Sequence, residues 1–164
     1  MPEIRNMEQL VDYLIPLIGR QFSDEISYVY FGDIGLYPPA AFKKPNKEEA
    51  AAIAIVPNFQ RPVANSLSQM SIFMDIGVFI AVMVNMTPYF TRLPQEAFGE
   101  RKLVQLTQKI AAFLQQDENM TLQRQVGTSR VNSIDWEWLQ RGEDSIRSAA
   151  IDYQVTIEVD RLEL

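Results

Sequence analysis

The chain has 164 residues, 47% hydrophobic and 22% charged, a net charge of −6, and neither cysteine nor histidine. Such a length and balance suit one globular domain and argue against disorder or fibrous repeats. The missing cysteine removes disulfides and thiolate metal sites, the missing histidine removes the commonest general base and metal ligand, and the acidic charge disfavours nucleic acid as a partner.

At the amino terminus, MPEIRNMEQL lacks a basic segment followed by an apolar run, so no secretory leader is read and synthesis in the cytoplasm is expected. Ile4, Met7, Leu10, Val11, Leu14, Leu17 and Ile18 recur at spacings of three and four, predicting an amphipathic helix over 3–18. Pro16 removes a backbone donor from its last turn and Gly19 suits a left-handed cap, so the helix is expected to stop there. A strand, Ile26–Phe31, follows. Gly32–Ala50 sustains no period and reads as a long loop, and loops of that length are commonly functional.

Ala51–Val56 reads as a short strand closed by Pro57, and Asn58–Gln69 as a second loop carrying Arg61 and Pro62, so that 57–69 is irregular. Ile72–Met86 is the longest strand signal. Its even positions are wholly apolar, and its odd positions, Phe73, Asp75, Gly77, Phe79, Ala81, Met83 and Asn85, are mixed. Fully extended it spans about 50 Å, which predicts either a bulge at Gly77 or a strand projecting past its own sheet toward a neighbour. The same run is interrupted by Asp75, Gly77 and Asn85 and is too short for a membrane helix, which needs about 20 apolar residues.

Pro94 and Glu96 mark the start of a second helix, with Leu103, Leu106, Ile110, Phe113 and Leu114 on one face and an end near Asp117. Ile134, Trp136 and Trp138 then alternate with Ser133, Asp135 and Glu137, and a turn through Gln140–Asp144 leads to a final strand. There Ala149, Ile151, Tyr153, Val155, Ile157 and Val159 alternate with polar residues. The expected fold class is α+β: a mainly antiparallel sheet with two helices packed on one face and long loops, as a single domain over 1–164.

No Walker A or GxGxxG spacing exists, and no Ser-x-x-Lys pair, so no catalytic residue, cofactor or metal site is assigned. Asp135 and Glu137 share a strand face, near Asp152, Gln154 and Glu158 if the closing hairpin pairs. Such a cluster would suit a divalent cation or acid–base chemistry, as in a metal-dependent enzyme, but a solvated polar face is the favoured reading. Trp136 and Trp138 would serve as a platform for a small molecule or peptide. Lying in the apolar phase of their strand, they are expected to pack in the core instead. Asn85-Met86-Thr87 and Asn119-Met120-Thr121 match the glycosylation triplet, a frequent chance match.

Three segments carry a resemblance: the opening EQLVDYLIPLI helix, the helix LVQLTQKIAAFL after the long strand, and the ending RSAAIDYQVTIEV. In their order the chain resembles the tail terminator proteins of long-tailed bacteriophages. The resemblance implies a virion subunit of the tail or neck, assembled in the host bacterial cytoplasm. It would form a ring, a hexamer, that caps the finished tail tube, stops its growth and meets the head–tail connector protein. Its expected partners are copies of itself, the tube protein and the connector, with no nucleic acid, membrane or cofactor. Another neck or tail-completion subunit would share every feature. Contact residues are expected in the two long loops and on the long strand: Tyr37, Pro38, Pro39, Phe42, Lys43, Lys44, Arg61 and Asp75.

Overall fold

The computed structural model describes residues 4–32, 51–67, 71–86, 98–141 and 144–160. Helix α1 spans Met7–Gln21, opened by Asn6, whose side chain accepts the Gln9 N–H at 2.9 Å and so satisfies one of the free donors of the first turn. Leu10, Val11, Leu14 and Ile18 are buried along the predicted stripe. The helix runs past Gly19, two residues beyond the expected stop. Pro16 forfeits only one hydrogen bond, while Phe22 closes the final turn on the Ile18 carbonyl and sets its ring edge-on to Phe113, 5.6 Å between centroids.

Strands β1 (Ile26–Phe31), β2 (Ala51–Leu67), β3 (Ser71–Asn85), β4 (Thr128–Arg141) and β5 (Asp144–Asp160) form one five-stranded sheet in the order β1-β2-β3-β5-β4. Only β1 and β2 are parallel; the other pairs are antiparallel. With α1 and helix α2 (Phe98–Leu114) this is the predicted α+β arrangement. Both helices contribute to one core cluster with the even positions of β3, from Ile72 to Val84, and the odd positions of β5, from Ala149 to Val159. On the opposite face a smaller cluster joins Ala52, Ala54, Ala81, Met83 and Ile146. Among the described residues no helix is long and apolar enough to cross a membrane.

Two expectations about the long strands fail. Residues 58–67 are strand, not loop: β2 continues antiparallel to β3, with irregularities at Pro57/Phe59 and Pro62/Leu67. The parallel pairing of β1 ends at Phe31 opposite Ile55, and among the described residues no other strand pairs with that side of β2 beyond it, a border position where proline's missing donor is tolerated. The bulge also lies on β2 rather than at Gly77, and β3 does not project alone. Its register with β5 is unbroken from Ser71–Asp160 to Asn85–Ile146. Gly77 instead makes room for an aromatic ring: a Cβ there would stand 2.7 Å from Cδ1 and 2.8 Å from Cζ of Phe59.

Helix α2 buries Leu103, Leu106, Ile110 and Leu114 and ends at Leu114, short of Asp117; turns occupy the way to β4. In them Leu122, Gln123 and Arg124 have φ of 45°, 55° and 70°, three successive non-glycine residues in the left-handed region, a conformation costing about 1–2 kcal/mol each. The strain is offset by what the turn buries and binds. Leu122 and Val126 join the core, Asn119 donates to the Phe113 carbonyl at 2.8 Å, and Tyr13 of α1 donates to the Gln123 side chain at 3.1 Å. Asn119, the second glycosylation match, is thus a buried structural amide. The segments that would carry the Pro94 start of α2 and most of the Gly32–Ala50 loop lie outside the described residues.

Candidate functional site

Of the eight expected contact residues, Tyr37, Pro38, Pro39, Phe42, Lys43 and Lys44 lie outside the described residues. The other two are brought together: Arg61 of β2 is the register partner of Asp75 of β3 on the face away from the helices. The Arg61 guanidinium lies 4.3 Å from the Phe59 ring centroid, a cation–π contact, and Asp75 accepts the Thr156 hydroxyl at 2.6 Å. Beside them a cleft of about 460 Å³ is lined by Val63, Phe73, Asp75, Arg130, Gln154 and Thr156. It opens where β4 begins, opposite Thr156, so that among the described residues β5 has no β4 partner beyond Thr156. Phe73, 45% exposed, stands on its wall.

The carboxylate cluster is spread out by the hairpin register. Asp135 and Glu137 are exposed and face Ala150 and Ser148, whereas Asp152 faces Ser133 and Gln154 faces Arg130. A bulge at Asn132 shifts the second half of β4 by one residue and sets small side chains opposite the acids. Among the described residues no group of three or more carboxylates is placed to hold a metal ion. Asn132 donates across the pair to Gln154 at 3.3 Å, while one Asp152 oxygen is buried without a hydrogen-bond partner.

The tryptophans correct the expectation most sharply: Trp136 is 38% and Trp138 is 58% exposed. They keep the apolar phase of their strand, opposite Ala149 and Arg147 on the helix-covered face. But β4 is the sheet's last strand and α2 packs chiefly over β3 and β5, so the indoles extend past the helical layer. Arg147 joins this patch to the helix. Its Nε donates to both Glu100 carboxylate oxygens at 3.3 Å, and its guanidinium carbon stands 5.3 Å from the Trp138 ring centroid. Nothing local in the sequence announces the contact of Arg147, inside β5, with Glu100.

Farther along the same strand pair the chemistry is buried. The Tyr153 hydroxyl meets no partner at hydrogen-bonding geometry. Burial pushes its pKa up to about 12, with the neighbouring Ser129 hydroxyl drawing it down in part and Tyr13 adding slightly to the rise. Ser129 itself donates to the Met120 carbonyl at 3.0 Å, tying β4 to the strained turn. The other side of β4 is bare: among the described residues no strand pairs with its outward edge, which runs from Thr128 to Arg141 with no proline or lysine along it. Such an edge is a template for another strand. No family model matches the chain, and no curated protein matches it.

Proposed function

We propose that this chain is a structural subunit of a bacteriophage tail, a ring-forming terminator that caps the tail tube and presents a surface to the head–tail connector. The observation that carries the reading is the exposure of Trp136 and Trp138 on a rigid sheet edge braced by Arg147 and Glu100. Tryptophan and arginine dominate the energetics of protein contacts, and leaving two indoles in water is unfavourable unless a partner covers them.

A head-to-tail ring requires two unlike patches on each subunit. The tryptophan edge is one, and the Arg61–Asp75 face with its cleft, across the sheet, is a second of different chemistry. Closure of such contacts ends growth, which is what a cap on a tube must do. The test is electron microscopy of purified tubes growing with and without this protein. Capped, shorter tubes are expected; equal elongation with no density at the ends overturns the terminator reading and favours another neck subunit.

A further inference from the structure

We propose that the outward edge of β4 is a pairing site for a second copy of this chain, strand against antiparallel strand, giving one sheet continuous across a two-fold axis. The backbone argument is that β4 ends the sheet, and among the described residues its outer donors and acceptors meet no strand. Its charge pattern then selects the partner. On the face away from the helices β4 carries Arg130 in its first half and Asp135 and Glu137 in its second, all three exposed. Two copies laid antiparallel set the cation of each against the acids of the other. A parallel pair in register sets like against like, which is destabilising.

The bulge sharpens the match. In a regular strand, residues an odd number apart point to opposite faces, so Arg130 and Asp135 would not share one. The irregularity between Val131 and Ser133 flips the alternation. Arg130 and Asp135 therefore share the outer face, while Val131 and Ile134 share the helix-covered face. A two-fold axis at the bulge brings Arg130 opposite Asp135, Thr128 opposite Glu137 and Val131 opposite Ile134, each pair on a common face. Bulges and charges commonly protect an edge from indiscriminate pairing. Here they leave one arrangement in which the charges agree.

This pairing does not rest on the ring reading, because a two-fold contact closes with two copies and needs no tube. Sedimentation velocity of the full chain over a range of concentration and salt tests it. The parent is expected to form a dimer that salt weakens. Arg130→Glu, and separately the pair Asp135→Arg with Glu137→Arg, should each weaken self-association about tenfold or more, since every substitution counts twice across the axis. Mixed one to one, the two variants should associate with each other, and the chain carrying all three changes should regain its dimer. Unaltered circular dichroism excludes misfolding at these exposed positions. A parent that stays monomeric at every concentration, variants that dimerise like the parent, or a mixture that fails to associate overturns the proposal. A hexamer indifferent to these changes would overturn it too, while leaving the ring reading intact.

Discussion

Ile151 and Trp138 occupy the same face of the same sheet, on paired strands, yet one is fully buried and the other is 58% exposed. Ile151 lies on β5, flanked by β3 and β4 and roofed by α2; Trp138 lies one strand farther out, where the roof has ended. Alternation along a strand decides which face a side chain takes. Only the strand's rank in the sheet decides whether that face is covered, and rank is a property of the whole chain.

The largest test of this contrast is Ile151→Ala, expected to cost about 2–5 kcal/mol by leaving a cavity that the layers above and below cannot close. Urea unfolding measures it. Tyr153, two residues along on the same buried face, gives the next effect. Its folded-state pKa is raised to about 12 from 10.0, so the phenol is neutral in both states below pH 10 and its contribution is intact there. As pH climbs from 10 toward 12 the unfolded chain ionises first, and stability should fall by up to about 1.4 kcal/mol per pH unit before levelling above 12. Tyr153→Phe should flatten that slope and, since the hydroxyl has no geometric partner, change stability little at neutral pH.

On the opposite face of the central strand, Gly77→Ala should cost about 1–3 kcal/mol, because the new methyl displaces the Phe59 ring. Truncating Phe59 to Ala in the same chain should remove most of the added penalty, which a double-mutant cycle would read. At the edge, Trp138→Ala is expected to cost no more than about 1 kcal/mol, the scale of its exposed cation–π contact with Arg147, measured in dilute solution. A loss comparable with that of Ile151→Ala would mean that edge and centre are not energetically distinct.

The same contrast explains what could be read in advance. The stripe of α1, the alternation of β3 and β5 and the apolar face of α2 are local periodicities, and each took its expected place. Pro57 and Pro62 signal a loop at 58–67 wherever a strand is central, whereas among the described residues the early end of β1 makes β2 a border there. The left-handed run Leu122-Gln123-Arg124 contains no glycine or asparagine to announce it, since buried neighbours rather than local preference hold it. At the candidate surface, the indoles and Arg61 were visible as residue types. The juxtaposition of Arg147 with Glu100 and Trp138, and the flip of β4 at Asn132, depend on register.

The unbroken pairing of β3 with β5 has a consequence for the order in which the chain can be completed. The central strand finds β2 through a short local connection, but its other flank waits until α2 and β4 have been synthesised and β5 emerges last. Through that interval the most apolar strand of the molecule is half-zipped. Non-local pairing of this kind is slow, and an open hydrophobic flank invites aggregation during translation. A ribosome stalled before β5 would therefore display a sticky nascent chain, its apolar face shielded by α1, which is made first, and then by α2, which comes between the two strands.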